Sequence, residues 1–364
     1  MSDDVRAAQT APRVTVLMTV FNGERHLREA IDSVLGQSFG DFELLVVDDG
    51  STDGTAAVLG AITDARVRIT RNATNIGLTR SLNRGLALAR GMLIARHDAD
   101  DVSEPDRLAR QVAFLDANPD VALVGAAYRK IDERGALLGD RMLPVDYDRI
   151  RWILHFYCPF VHSAVVFRAV VVRAMGDYDE EFVYAQDYDL WSRLAVAHRV
   201  ANLPDSLVRY RMGATTLTAT IGDQSGEVVH IAARNIESLG LPVPSAATLS
   251  AMSALIRGDA SALMPTDFVT TLDGVLAVLD RLCASSPQML ADPDRLKHDV
   301  ARTIAATLKQ HARRLSDGDY RRVLDRLSLT APLVARTLPA SRRMAALRGR
   351  LDRVRIRRAM PPKP

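Results

Sequence analysis

Cysteine is scarce in this chain of 364 residues, which contains only two. Two cysteines cannot build a disulfide framework or a four-thiolate zinc site, so neither is expected to stabilise the fold. No stretch approaches the ~18 consecutive apolar residues that a membrane-spanning helix needs. The first residues, MSDDVRAAQTAPR, are polar and lack the apolar core of a secretory signal. These absences predict a cytoplasmic location.

Two nucleotide-binding motifs are also missing. No G-x-G-x-x-G follows the first predicted strand, and no G-x-x-x-x-G-K-[ST] occurs anywhere in the chain. Those glycine-rich loops place backbone N–H groups around phosphates in dinucleotide-binding enzymes and in P-loop hydrolases. Their absence removes the main support for redox chemistry with a dinucleotide and for nucleotide hydrolysis on a P-loop.

Positive charge is concentrated at the end of the chain. The formal net charge is +3, but residues 336–364 contain nine arginines and one lysine against a single acid, Asp352. The preceding residues therefore carry a net charge of −6. A basic surface for nucleic acid on the body of the protein is not expected, so no nucleic-acid partner is predicted.

Strand-like and helix-like stretches alternate over residues 13–130, which is typical of an α/β domain. The pattern predicts strands at 13–20, 42–47, 67–70 and 92–95, with helices after residue 24, at 78–89 and at 105–115. Four such passes fit one mostly parallel sheet with helices on both faces.

The pattern changes after residue 121. A strand-turn-strand signal surrounds 132–135, followed by a strand at 163–168, a helix at 189–197 and a strand at 207–211. This half is predicted to extend the first sheet as a mixed sheet. We expect a flexible N-terminus at 1–12, one α/β domain at 13–221, an α-helical region at 222–340 and a basic amphipathic helix with a proline-rich tail at 341–364.

The basic segment at 341–358 has apolar residues at three- and four-residue spacings, with arginine filling much of the rest. Such a helix can lie on an anionic membrane, where each basic residue contributes roughly 1 kcal/mol. The alternative is a helix that packs on the acidic body of the protein with a solvated basic face. The sequence leaves both open.

Ligands of an open α/β sheet bind beyond the carboxyl ends of the strands. Three predicted strands end in acidic or small polar residues, namely Thr19 to Asn22, Asp48 to Ser51 and Asp98 to Asp101. Close carboxylates repel one another, and a divalent metal ion with hard oxygen ligands would offset that repulsion. The alternative for the third group is a solvated loop, or Asp101 capping the helix that follows.

Asp49 has two interpretations of its own. A carboxylate at a strand end can accept a hydrogen bond from a ribose hydroxyl or a base N–H. It can also cap the helix that begins after Gly54. Capping is the commoner role for an aspartate in this position.

Four motifs occur in order over residues 13–212: VTVLMTVFNGERHLREAIDSVLGQSFGDFELLVVDDGSTDGT, NIGLTRSLNRGLALARGMLIARHDADD, HSAVVFR and YAQDYDLWSRL. Together they resemble the inverting family 2 glycosyltransferases of the GT-A fold. The resemblance does not extend to the last 150 or so residues. It implies a GT-A domain followed by a helical appendage. It also implies transfer of a sugar from a UDP-, dTDP- or GDP-linked donor, with inversion, to a hydroxyl of a saccharide or lipid-linked acceptor.

The resemblance assigns roles to individual residues. Thr19, Phe21 and Asp49 match positions that surround the nucleotide base and ribose, with Asn22 beside them. Asp98 and Asp100 match an Asp-X-Asp motif that holds Mn²⁺ or Mg²⁺, with Asp100 the more direct ligand.

Asp187 matches the general base, which takes the proton of the acceptor hydroxyl. Gln186 stands where the family usually has glutamate, and this departure affects an acceptor contact. Gly213 stands where the family often has a histidine near the diphosphate, so Arg211 or a loop residue is the expected substitute.

Further candidates complete the expected site. Gly77 and Arg80, at the start of a helix, are candidates for donor binding, although Arg80 also fits a solvated helix face. His162 resembles a position near donor and acceptor, with a structural role as the alternative. Tyr178 and Tyr184 are candidates for an acceptor-facing aromatic surface.

The sequence thus predicts a metal-assisted glycosyltransferase that acts in cell-surface polysaccharide or glycoconjugate synthesis, at the cytoplasmic face of the membrane if the basic segment binds there. Two alternatives remain. One is a non-catalytic protein that binds nucleotide sugars or acts as a scaffold. The other is a sugar nucleotidyltransferase, which would be expected to carry a glycine-rich basic loop after the first strand.

Overall fold

The computed structural model describes residues 11–213, 225–258, 268–285, 290–311 and 315–335. Within these ranges the chain divides into two compact units. One comprises residues 11–150, 158–213 and 225–227, and the other comprises residues 151–157, 228–258, 268–285, 290–311 and 315–335. The predicted N-terminus at 1–12 lies almost wholly outside the described residues, and the basic segment at 341–364 lies wholly outside them.

The first unit begins with the predicted β/α alternation. Its elements are β1 (Val14–Val20), α1 (Leu27–Leu35), β2 (Phe42–Asp48), α2 (Thr55–Gly60), β3 (Val67–Arg71), α3 (Leu78–Leu88), β4 (Leu93–Asp98), β5 (Val102–Ser103) and α4 (Arg107–Ala117). Every residue of β1 and β2 is buried, which explains their unbroken runs of apolar and β-branched residues.

The later strands of the chain, β6 to β9, extend the same sheet, and helices lie between them. In chain order the elements are β6 (Val121–Ile131), β7 (Leu137–Arg141), α5 (Tyr147–Ile153), a 3₁₀ turn (His162–Ala164), β8 (Val166–Arg168), α6 (Ala169–Ala174), α7 (Gln186–Ala197) and β9 (Arg199–Arg211).

The described residues form a nine-stranded sheet in the order β3-β2-β1-β4-β8-β6-β9-β5, with β7 paired to β6. The first four strands are parallel to one another, and β8 is antiparallel to both of its neighbours. The prediction of a parallel sheet extended by a mixed half is therefore confirmed.

Three predicted boundaries were wrong in ways that matter for the site. Strand β4 continues to Asp98, so the acidic cluster starts on the strand itself. Helix α7 begins at Gln186, which puts Asp187 in its first turn. The stretch predicted as a strand at 163–168 starts as a 3₁₀ turn, because only residues 166–168 pair with β4.

The second unit is helical, as expected for this part of the chain. Its elements are α8 (Ser225–Glu237, which begins in the first unit), α9 (Ala246–Ile256), α10 (Phe268–Ser285), α11 (Pro293–His311), α12 (Asp317–Thr330) and α13 (Pro332–Ala335). Residues 151–157 belong here and not to the α/β domain expected at 13–221, because Trp152, Ile153 and Phe156 pack in the core of the helical unit.

Candidate active site

The carboxyl ends of β1, β2 and β4 meet at one edge of the sheet. Pairing places Thr19 beside Val47 on one side and beside Asp98 on the other, and Val20 beside Asp48. The three polar groups expected at the strand ends are therefore brought together. Thr19 is 8% exposed, and its hydroxyl has no hydrogen-bond partner among the described residues.

The loop after β1 presents one apolar ring to solvent. Phe21 is 49% exposed, which is unusual for phenylalanine and leaves one face available for stacking. Asn22, with a φ of 53°, instead ties this loop to the loop after β2. Its side-chain oxygen accepts the Thr52 N–H at 2.8 Å, and its own N–H donates to Ser51 Oγ at 3.0 Å.

Asp49 is buried and does not cap the helix after Gly54, so that interpretation was wrong. Its carboxylate accepts hydrogen bonds from Asn72 Nδ2 at 2.7 Å, from the Ile76 N–H at 2.9 Å and from the Gly77 N–H at 3.0 Å. It therefore holds the start of α3 against the end of β2. The N–H of Gly77, an expected donor-binding residue, is engaged in this contact.

The Asp-X-Asp segment is anchored from behind by a buried arginine. Arg96, on β4, is 1% exposed and pairs with the carboxylate of Asp98, whose side chain is 32% exposed. Burial and the charge of Asp98 raise the pKa of Asp100 to about 6. A cation bound here would relieve this repulsion between carboxylates.

The carboxylate oxygens of Asp98 and Asp100 suit a divalent metal ion that takes its remaining ligands from the substrate. Among the residues that the structure describes, no group of three or more His, Cys, Asp or Glu side chains is arranged as a metal site. Mg²⁺ and similar ions are commonly held by one or two carboxylates together with substrate phosphates. Asp98 and Asp100 match that kind of site and not an all-protein cage.

Asp101 and Arg211 fix the acidic segment to the rest of the sheet. Asp101 is buried and accepts the Arg211 N–H at 2.8 Å, so the alternative in which it caps α4 is not the one that the fold adopts. The Arg211 guanidinium is 2% exposed; it donates to the carbonyl oxygen of Asp100 at 2.8 Å and pairs with Glu29 at 2.6 Å. Arg211 thus supports the Asp-X-Asp segment from within the protein.

Asp187 lies in the first turn of α7, where its Oδ1 accepts the N–H of Tyr188 at 2.7 Å. Burial raises its pKa to about 6, and the negative charge of Asp98 acts in the same direction. A carboxylate with such a pKa is ionised at neutral pH yet basic enough to take up a proton. Gln186, next to it, is 3% exposed, and its Oε1 has no partner among the described residues.

His162, which is half-buried, and Tyr178, which is buried, form a pair, with His162 Nε2 at 2.8 Å from the Tyr178 hydroxyl. Burial lowers the pKa of His162 well below its usual value, so the ring is neutral. Tyr178 is 2% exposed, and its assignment to an aromatic surface facing the acceptor was therefore wrong. Both rings pack edge-on against Trp191, which is fully buried.

The two remaining candidates lie nearer to solvent. Arg80 has a side chain that is 62% exposed and pairs with Glu180 at 3.1 Å, as expected for a solvated helix face. Tyr184 is half-buried in the loop that leads into α7. The structure does not link Arg80 to the acidic residues of the sheet edge by any described contact.

Sequence reasoning missed the groups that position the acidic residues. Arg107 is fully buried on α4 and donates to the carbonyl oxygen of Arg96 at 2.7 Å and to Ser103 Oγ at 3.1 Å. Burial lowers its pKa to about 9. An arginine inside the apolar run LIARHD is a signal that could have identified Arg96, whereas no local signal marks Arg107 or Asn72.

No helix among the described residues has the length and apolar character needed to cross a bilayer. The chain has the GT-A fold, a mixed α/β sheet flanked by helices. Its structure is similar to that of S. aureus TarS 1–349 in complex with UDP-GlcNAc, with a TM-score of 0.54 and 16% identity over 85% of this chain and 90% of that one. It is also similar to the mannosyltransferase PcManGT from Pyrobaculum calidifontis in complex with GDP-Man and Mn²⁺, with a TM-score of 0.51 and 20% identity over 94% of this chain and 88% of that one.

Sequence comparison identifies the family within this fold. Residues 15–171 match the family model for glycosyl transferase family 2. The chain is 37% identical over 208 residues to the putative glycosyltransferase EpsE of Bacillus subtilis, covering 56% of this chain and 74% of EpsE. It is 32% identical over 204 residues to the amylovoran biosynthesis glycosyltransferase AmsE of Erwinia amylovora, covering 55% of this chain and 76% of AmsE. The chain belongs to glycosyltransferase family 2.

Proposed function

We propose that this protein transfers a sugar from a nucleoside-diphosphate donor to a hydroxyl group, with inversion, and that Asp187 is the general base. The observation that carries the proposal is electrostatic. Burial raises the pKa of Asp187 on α7 to about 6, and the charge of Asp98 at the end of β4 acts in the same direction, which supports a base and an acidic segment close to each other. Direct displacement of a nucleoside diphosphate by an acceptor hydroxyl needs these two groups.

In this mechanism Asp187 accepts the proton of the acceptor hydroxyl as its oxygen attacks the anomeric carbon. The bond between that carbon and the diphosphate oxygen breaks on the opposite face of the sugar, which inverts the configuration. Neutral His162 and Tyr178 form part of the wall near Asp187 and Asp98, because both carboxylates act on the pKa of Tyr178. A neutral pair at this position places no competing charge beside the base.

Asp98 and Asp100 would hold a Mn²⁺ or Mg²⁺ ion. When bound, the ion supplies positive charge that stabilises the leaving diphosphate. Arg96 behind Asp98 and Arg211 behind Asp100 keep both residues in place. The fold neighbour PcManGT, whose complex contains GDP-Man and Mn²⁺, supports this assignment.

The nucleotide is proposed to bind at the ends of β1 and β2. Phe21 offers an exposed ring for the base, and Thr19 offers a hydroxyl without a partner among the described residues. Asn22, Asp49 and Gly77 shape this part of the site through the contacts that join the surrounding loops. The complexes of TarS with UDP-GlcNAc and of PcManGT with GDP-Man support a nucleotide-sugar donor.

The acceptor is proposed to be a saccharide or a lipid-linked saccharide of a cell-surface polysaccharide, bound on the side of Gln186 and Tyr184. The name of AmsE, an amylovoran biosynthesis glycosyltransferase, supports this setting. We further propose that the basic segment at 341–358 brings the protein to anionic lipid on the cytoplasmic face of the membrane. Co-sedimentation with anionic vesicles, with and without residues 336–364, tests that part, and equal binding of both forms refutes it.

A thermal-shift panel tests the donor and the metal together. UDP, GDP, dTDP, CMP and their sugars are each added with Mn²⁺, Mg²⁺ or EDTA. A ligand at 100 times its dissociation constant adds about 2.7 kcal/mol of stability, which such a measurement detects. Metal-dependent stabilisation by one nucleoside diphosphate is the expected result. A chain that no nucleotide stabilises with any metal would instead support the non-catalytic scaffold alternative.

A further inference from the structure

The carboxylate of Glu227 accepts three main-chain N–H groups from a single loop. Its Oε1 accepts the N–H of Val183 at 3.0 Å, and its Oε2 accepts those of Tyr184 at 2.9 Å and Ala185 at 2.8 Å. Glu227 lies in the first turn of α8 and belongs to the same compact unit as this loop. More than forty residues of sequence therefore separate the carboxylate from the amides that it binds.

These three amides lie directly before the helix that carries Asp187. Ala185 occupies the capping position of α7, and its side chain has no oxygen with which to cap the helix. A capping serine or aspartate normally satisfies the free N–H groups at a helix start. Glu227 instead binds the N–H groups of the three residues that lead into the helix, from a distant part of the chain, and its negative charge strengthens each hydrogen bond.

The other side of the loop is held by α3. Thr79 Oγ1 donates to the carbonyl oxygen of Phe182 at 2.7 Å, and Asn83 Nδ2 donates to that of Tyr178 at 2.9 Å. Helix α3 thus fixes carbonyl groups of the loop, and Glu227 fixes the N–H groups at its end. The direction in which the chain enters α7, and so the position of Asp187, depends on both.

We infer that Glu227 is a positioning residue for the transfer reaction, which holds the 183–185 loop so that Asp187 meets the acceptor hydroxyl. This inference rests on the proposed role of Asp187 as base. It adds a residue that lies beyond the 15–171 segment matched by the family model.

The size of the effect follows from the geometry of proton transfer. A displacement of about 1 Å at a reacting group costs on the order of 100-fold in rate. Glu227→Ala, which removes both acceptor oxygens and so all three hydrogen bonds, should lower kcat by about that factor. Glu227→Gln keeps one oxygen and the same shape, so its loss should be smaller, about tenfold. Neither change touches the donor side, so the KM for the donor should stay within about twofold.

The test measures release of UDP from UDP-GlcNAc and of GDP from GDP-mannose, with Mn²⁺ present and water as acceptor. Amide hydrogen exchange of residues 180–190 is followed in the same variants. Glu237→Gln, at the exposed other end of α8, is the matched control. We expect faster exchange at 183–187 and lower kcat in both Glu227 variants, in the order Ala worse than Gln, and no change in the control.

Unchanged exchange at 183–187 in Glu227→Ala would overturn the inference whatever the activity shows. A fall in donor affinity that matches the fall in kcat would also overturn it, because that pattern indicates general loosening of the site. Failure of the proposed function has a different signature. In that case Asp187→Asn releases nucleotide as fast as the natural protein, while the exchange result for Glu227 stands independently.

Discussion

Asp187→Asn should make the folded protein more stable at neutral pH while it abolishes transfer. Burial and the charge of Asp98 raise the pKa of Asp187 from 3.8 to about 6. The folded state therefore carries an unfavourable ionised group at pH 7, which asparagine does not have. The hydrogen bond from the Tyr188 N–H survives the substitution, because an asparagine oxygen can accept it.

The magnitude follows from that shift of roughly two pKa units at 1.36 kcal/mol each, which gives about 3 kcal/mol as an upper bound. Because Asp187 is only partly buried, solvent reduces this to about 1–3 kcal/mol. The direction in which stability changes with pH follows from the linkage between proton binding and folding. A pKa raised in the folded state means that the contribution of Asp187 to stability is complete below about pH 4 and is lost as pH rises to about 6.

Urea unfolding in EDTA at pH 5, 6 and 8 measures this effect. The stability gain of Asp187→Asn over the natural protein should widen by about 1 kcal/mol between pH 5 and pH 8, and most of that change should occur by pH 7. Asp32→Asn, which removes an exposed carboxylate on α1, serves as the control. A stability difference that stays constant with pH, or that favours the natural protein increasingly at high pH, would refute the electrostatic argument.

Four further predictions follow from the same geometry. The rate of transfer should fall about tenfold per pH unit below about pH 6, because the base Asp187 must be ionised. A pH–rate profile in which the rate begins to fall only near pH 4 would contradict this. Asp100→Ala should weaken nucleotide binding in Mn²⁺ and change little in EDTA, and calorimetry that shows equal losses would argue against metal ligation. Phe21→Ala should reduce nucleotide affinity about tenfold with a change in stability within about 0.5 kcal/mol, since stacking contributes about 1–3 kcal/mol per base; unchanged affinity removes the ring from the base site. Glu43→Gln should cost about 2–3 kcal/mol in urea unfolding, because it breaks a buried carboxylate's bonds to two arginines; a cost under about 0.5 kcal/mol would show that these pairs contribute little.

The fold was predictable where burial leaves a simple pattern. Strands β1 and β2 are buried on both faces, so they appear as continuous apolar runs followed by polar turns. The edge strand β3 and the helices gave weaker but sufficient periodic signals. The start of α7 was misplaced because Gln186 and Asp187 are polar residues in the first turn of the helix, where the apolar periodicity of its later turns has not begun.

The contacts of the loop after β2 could not be predicted from the sequence either. Gly50, with a φ of 73°, has its Cα so close to the backbone of Thr74 that a Cβ would lie 2.5 Å from the Thr74 carbonyl carbon. The glycine allows the loops after β2 and β3 to approach, and that approach brings Asp49 to the N–H groups of Ile76 and Gly77. The local sequence indicated a turn but not the partner loop, so it left capping of the nearest helix open as one of two interpretations of Asp49, and the structure excludes that one.

Asp49, Asp101, Asp187 and Glu227 have the same functional group, and their local sequences do not tell their roles apart. What distinguishes them is which N–H groups the rest of the fold brings within reach. Asp49 and Glu227 receive two or three backbone N–H groups from distant loops, so both hold loops in place. Asp187 receives the N–H of its neighbour, and its carboxylate is otherwise held in a poorly solvated setting near Asp98. A carboxylate whose oxygens already accept hydrogen bonds from several N–H groups is a poor base, because those bonds stabilise its ionised form. The folded chain therefore adds a contrast among these carboxylates to the motif resemblance on which the proposed role of Asp187 as the base first rested.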